Sequence, residues 1–117
     1  VINNLIINTL KPLKIPVSFQ KYSGKENTYI TFFNYLEQGE QYADNEEKVT
    51  GYYIQVDLWS KKDYTQIVKD IEDKMKAAGF IRSSAADLFE EDTKIYHKAM
   101  RFNMNIEGEE LVYVRSC

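Results

Sequence analysis

GYYIQVDLWSKKDYTQIVKDIEDKMKAAGF, residues 51–80, holds both periodicities from which this chain is built. In its first part Tyr52, Ile54, Val56 and Leu58 alternate with Tyr53, Gln55, Asp57 and Trp59. Successive side chains of a strand point to opposite faces, so this alternation predicts a half-buried strand. After Trp59 the period changes. Tyr64, Ile67, Val68, Ile71, Met75 and Ala78 fall on one stripe at helical spacing, and Lys69, Asp70, Asp73, Lys74 and Lys76 fall on the opposite face. Ser60 followed by Asp63 resembles a capping box with Asp in place of Glu, and predicts the start of the helix. Gly79 stands where a left-handed C-cap belongs.

Working outward from this stretch, Ile2, Leu5, Ile6 and Leu10 form a first amphipathic stripe. It ends near Lys11, because the residue before Pro12 is pushed out of helical dihedrals. Val17–Phe19 predicts a brief edge strand. Thr28–Tyr35 is dense in β-branched and aromatic residues and predicts a strand. Ile30 and Phe32 would share one face, with Tyr29, Thr31, Phe33 and Tyr35 on the other. The polar run from Glu37 to Lys48 predicts a long loop or a mobile hairpin tip. Phe80 and Ile81 open an extended segment, Leu88–Phe89 belongs to a strand, and Glu91–Lys94 predicts a turn. In the last long strand Tyr96, Met100, Phe102, Met104 and Ile106 face one way, and His97, Arg101, Asn103 and Asn105 the other. Gly108 breaks it, and Leu111–Val114 is read as a short strand or a tail held by a neighbouring subunit. The expected architecture is a single α+β domain over residues 1–117, a mostly antiparallel sheet with two main helices packed on one face.

Composition narrows the function. The 117 residues carry 15 basic and 18 acidic side chains, a formal charge of −3, which argues against a generic duplex DNA binder. Cys117 is the single cysteine, so no disulfide forms within one chain. No apolar run reaches the roughly 20 residues that cross a bilayer, and the amino end shows no secretory pattern. The expectation is a soluble intracellular domain without a membrane partner.

Catalytic groups are scarce. His97 is the single histidine; a dyad with Cys117 would place the nucleophile at a chain end with nothing to hold it, and His97 reads as a surface residue on its strand. Asp44, Glu46 and Glu47 are hard oxygen ligands in one segment, yet the glycine-centred spacing of a calcium loop is absent, and they read as a solvated acidic loop. The five glycines form no phosphate cradle. The sequence therefore predicts a protein that is not an enzyme, without cofactor or metal.

Charge is unevenly spread. Residues 1–35 sum to +3, residues 36–59 to −5 and the remainder to −1. Glu40, Asp44, Glu46 and Glu47 concentrate the negative charge, which repels polyanions and attracts basic surfaces. Solubility and binding are both open readings of that segment. The nine tyrosines, six phenylalanines and one tryptophan exceed what so small a sheet must bury. Tyr29, Phe33, Tyr35, Tyr53 and Trp59 fall opposite the expected core. Either the helices cover that face instead, or another subunit does, or single-stranded nucleic acid stacks there. The lack of interleaved lysine or arginine on those strands makes stacking the weakest of the three, and a subunit contact is preferred.

Several segments together resemble a known family. They are Thr28-Tyr29-Ile30-Thr31-Phe32-Phe33-Asn34-Tyr35, YADNEEKVTGYYIQVDLWSKKDY (42–64), the helix running to Ala78-Gly79-Phe80, and EEDTKIYHKAMRF (90–102). These are similar to the small tail-completion, or tail terminator and head–tail joining, proteins of long-tailed bacteriophages and prophages. The resemblance implies an α+β subunit without enzymatic activity that assembles into a hexameric ring. Such a ring caps the tail tube, stops its growth and presents a surface to the head connector. It further implies contact with the major tail tube protein and the connector's stopper protein, passage of DNA through the lumen without sequence-specific binding, assembly in the host bacterial cytoplasm and a final location in the virion tail. In that setting the acidic segment would project towards the lumen or a docking partner, and Tyr29, Phe33, Tyr35, Glu40, Asp44, Glu46, Glu47, Tyr53 and Trp59 form the candidate interaction surface. The competing reading is a non-enzymatic α+β binding or adaptor module; a third is a hydrolase or transferase built on His97 and nearby carboxylates.

Overall fold

The computed structural model describes residues 2–43 and 46–107, with side chains described for 2–40 and 49–107. The chain forms α1 (Ile2–Leu10), a 3-10 turn (Lys11–Leu13), β1 (Val17–Phe19), β2 (Thr28–Ala43), β3 (Glu46–Ser60), α2 (Thr65–Ala77), β4 (Ile81–Glu90) and β5 (Ile95–Glu107). One five-stranded sheet results, in the order β1-β2-β3-β5-β4. β1 runs parallel to β2 and all other pairs are antiparallel, so the sheet is mixed and mostly antiparallel. Both helices lie on one face, as the α+β pattern predicts.

The core forms where the alternating strands meet the helical stripes. Ile30 and Phe32 of β2, Ile54, Val56 and Leu58 of β3, and Met100 and Phe102 of β5 are fully buried against Ile6 and Leu10 of α1 and Ile71 and Met75 of α2. Each apolar side chain so buried contributes on the order of 1.5–3 kcal/mol, which fixes the faces of the sheet because a one-residue slip would expose them all. The end of α2 is closed by two bonds, Gly79 N to Lys76 O at 3.0 Å and Phe80 N to Met75 O at 3.0 Å. With Gly79 at φ +101° and Phe80 buried in the core with Met75, this is the Schellman arrangement that Gly79 announces in the sequence.

Three expectations are corrected. The run from Glu37 to Lys48 is not a long loop: β2 continues to Ala43, and β3 begins at Glu46. Its backbone is paired because the run folds back on itself as a hairpin, with Glu37 opposite Tyr52, Gln38 opposite Gly51 and Ala43 opposite Glu46, and a ladder needs partners for its N–H and C=O groups, not apolar side chains. Ser60 does not cap α2. It is the last residue of β3, and its Oγ lies 3.0 Å from Thr28 Oγ1, while Asp63 Oδ1 accepts from Thr65 N at 3.0 Å and Thr65 Oγ1 at 2.7 Å. The helix thus starts at Thr65. His97 is not a surface residue, as described below. Gly108, Leu111–Val114 and Cys117 lie outside the described residues.

Candidate functional site: the uncovered face of the sheet

The sheet face opposite the helices carries the chemically distinctive side chains. Strand register explains how they meet. Tyr29, Trp59, His97 and Leu88 lie across β2, β3, β5 and β4 in one row, and the next row is Thr31, Asp57, Ala99 and Ala86. Both large rings of the first row reach towards the second. Trp59 Nε1 donates to Thr31 Oγ1 at 3.0 Å, and His97 Nε2 meets Asp57 Oδ1 at 2.6 Å. Reaching the same way, the two rings stack at 3.8 Å between centroids and 12° between planes. Small Ala99 beside Asp57 leaves room for the imidazole. Tyr29 stacks on Tyr22 at 4.4 Å and lies 6.1 Å from Trp59, so an aromatic row runs from the loop before β2 to the imidazole.

This arrangement buries two polar groups on a face over which neither described helix lies. The side chains of His97 and Asp57 retain 13% and 6% exposure. Gln55 Nε2 gives Asp57 Oδ1 a second bond at 2.8 Å. Since Asp57 presents a carboxylate oxygen, Nε2 is the nitrogen that carries the shared proton. Burial of Tyr29, with the nearby negative charge of Glu90, raises its phenol above the ordinary value. A His–Asp pair can orient a base, but here Nε2 is committed to the carboxylate and a ring face lies against Trp59, which suits a structural clasp. Its proposed nucleophile, Cys117, is outside the described residues.

A second cluster lies higher on the same face. β2 departs from regular register between Asn34 and Leu36 and again between Gly39 and Gln41, leaving Tyr35 and Glu40 as the extra residues. Bulges re-aim side chains, and both of these come to lie over the open face. The Tyr35 ring lies 6.2 Å from that of Tyr53 and under the Arg101 guanidinium, 4.4 Å from its centroid. Arg101 Nε also donates to Gln55 Oε1 at 3.1 Å. Glu40 accepts from Tyr53 Oη at 2.7 Å and from Gln38 Nε2 at 3.2 Å, which holds its carboxyl below the usual carboxylate range and raises the Tyr53 phenol. The carboxylate lies over Gly51, where any side chain would overlap it.

Of the residues expected to form an interaction surface, Tyr29, Phe33, Tyr35, Glu40, Tyr53 and Trp59 share this face. Asp44 lies outside the described residues, and the side chains of Glu46 and Glu47 are not among those described. The expected interaction surface left out Asp57, His97 and Arg101, although their positions on the polar side of two strands were the available signal. It also missed β4. This edge strand pairs on one side alone, every residue in it is exposed, and Ile81, Leu88 and Phe89 keep 65%, 51% and 42% exposure. Edge strands are commonly protected by charges and bulges, and β4 carries Arg82, Asp87 and Glu90 and an irregularity between Arg82 and Ser84, beside its exposed apolar side chains. Among the described residues, no three His, Cys, Asp or Glu side chains gather to hold a metal ion, and no helix is long and apolar enough to cross a membrane. Comparison of the chain with known protein families and with curated proteins found no match in either.

Proposed function

We propose that this protein is a non-enzymatic structural subunit of a phage tail, which assembles with copies of itself into a ring that caps the tail tube, terminates its growth and joins it to the head connector. The observation that supports assembly is the uncovered sheet face. It gathers aromatic side chains in excess of what the chain's own helices bury, and it borders an exposed apolar edge at β4. Tyr and Trp are enriched where subunits meet. The aromatic row offers little to nucleobases, because Tyr22, Tyr29, Trp59 and His97 already turn ring faces towards one another. The specific assignment to a tail terminator rests on the resemblance of the segments between Thr28 and Ile106, and a hexamer, the tube protein, the stopper protein and DNA in the lumen follow from that resemblance.

A ring requires two different surfaces per subunit that meet with a closing rotation. Among the described residues, β4 pairs along one edge only, and β1 covers three residues of β2 along the other, so that Asn34–Ala43 has no strand neighbour on that side. Light scattering coupled to size exclusion, followed by electron microscopy, tests the reading. The expected result is a discrete closed ring that binds the ends of isolated tail tubes. A protein that stays monomeric or forms a two-fold dimer, and leaves tube ends bare, overturns it in favour of the adaptor module.

A further inference from the structure

Charge in this molecule is divided lengthwise. β3 runs from Glu46 to Ser60, fourteen steps that at about 3.3 Å each span about 46 Å, most of the 52 Å long axis. The acidic arm, the end of the β2–β3 hairpin that carries Glu37 and Glu40, stands at the Glu46 end. At the other end Lys61 and Lys62 follow Ser60, and Lys25 belongs to the loop leading into Thr28, the partner of Ser60 across the ladder. Lys61 and Lys62 line a cleft with Glu26, Asn27 and Thr28.

Among the described residues, no ion pair neutralises the charges at either end. Glu37 and Glu40 are exposed, and the groups that hold them are the neutral Asn34, Gln38 and Tyr53. Lys25, Lys61 and Lys62 are exposed, and no ion pair engages them among the described residues. Two copies meeting arm to arm, or lysine end to lysine end, would set like charges against each other. Meeting arm to lysine end sets opposite charges together, which rules against a parallel two-fold pair, and of the arrangements that remain the head-to-tail one is the one a ring requires.

We propose that copies of this chain join head to tail, the acidic arm of one copy seated on the Lys61–Lys62 end of the next. This rests on the reading that copies assemble, and gives the acidic segment to a subunit contact instead of to the lumen. The partner is a second copy because one chain carries both halves of the complementarity; a polyanion at the lysine end would be repelled by the acidic majority of the same molecule.

Sedimentation of the full chain tests this. Raising salt from about 0.05 M to about 0.5 M shrinks the Debye length from roughly 14 Å to about 4 Å and should weaken association about tenfold or more. Lys61→Glu with Lys62→Glu, both at exposed positions, should weaken it at least about tenfold at low salt. Glu37→Lys, Glu40→Lys, Glu46→Lys and Glu47→Lys combined should do the same, and an equimolar mixture of the two variants should assemble again, since each then offers the charge the other lacks. Circular dichroism checks that both variants fold, and the salt titration needs no variant at all. Assembly that is indifferent to salt and to the lysine reversals overturns this contact while leaving the ring intact. A chain that is monomeric at every concentration and salt, and that leaves tail-tube ends bare, overturns the contact and the ring together.

Discussion

His97→Ala is the most informative single perturbation, because its cost separates a structural clasp from a surface decoration. The substitution removes the bond from Nε2 to Asp57 at 2.6 Å, worth about 1.5–3 kcal/mol for a charged acceptor. It removes the stack on Trp59 at 3.8 Å, worth about 0.5–1.5 kcal/mol. It also leaves Asp57, 6% exposed, with Gln55 as its remaining donor. Breaking one side of a buried pair costs about 3–5 kcal/mol, consistent with that sum. Urea unfolding followed by Trp59 fluorescence is the assay. With a slope of about 1–3 kcal/mol/M, the midpoint should fall by roughly 2 M. His97→Gln, which keeps an N–H donor, should recover part of the loss, and the cycle with Asp57→Ala should show coupling of about 2 kcal/mol. A midpoint shift below about 0.5 M, with the two alanine substitutions additive, would refute the reasoning that these groups are buried and mutually dependent.

Gly79→Ala should destabilise the fold by about 1–2 kcal/mol in thermal or urea unfolding, because φ is +101° and the added methyl presses on Met104 Cε at 3.3 Å. Asp63 is held below its ordinary 3.8 by bonds from the backbone and hydroxyl of Thr65, so its contribution at the start of α2 is present above pH 3.8 and lost as pH falls through the lowered value. Helical ellipticity should accordingly fall at more acidic pH in the native protein than an unshifted carboxyl would give, and Asp63→Ala should abolish that step. Burial and the bond to Asp87 push the Tyr64 phenol up to about 12, so its contribution is complete below pH 10.0 and disappears as pH rises through the raised value. Ultraviolet titration should show one tyrosine ionising near pH 12 that moves down towards 10 in Asp87→Asn; no movement would sever that pair.

The resemblance to tail-completion proteins and the uncovered aromatic face bear on different questions. The first supplies the place of the protein in an assembly; the second supplies a reason for copies to meet. The edge strand β4 adds a constraint. A ten-residue strand with exposed Ile81, Leu88 and Phe89 offers an edge for pairing that Arg82, Asp87 and Glu90 and one bulge only partly blunt. In a ring such an edge would be covered by a neighbour, whereas in a lone subunit it would be an aggregation hazard.

Much of the architecture is legible in the sequence because it depends on period alone. The alternation of Tyr52–Trp59 assigns Ile54, Val56 and Leu58 to the core, and the stripe from Ile67 to Met75, closed by Gly79, assigns the buried side of α2. Each follows from local geometry, two residues per repeat in a strand and 3.6 in a helix. The same alternation puts Tyr29, Tyr53 and Trp59 on the face away from the helices. Tertiary structure alone decided the rest. β5 pairs with β3 and not only with its sequence neighbour β4, and that insertion brings His97 against Asp57, 40 residues away. Pairing order depends on long-range burial and backbone satisfaction, neither of which leaves a local pattern. The loop reading of the acidic run failed for the same reason: its side chains look like a loop's, but its backbone found partners across the β2–β3 hairpin.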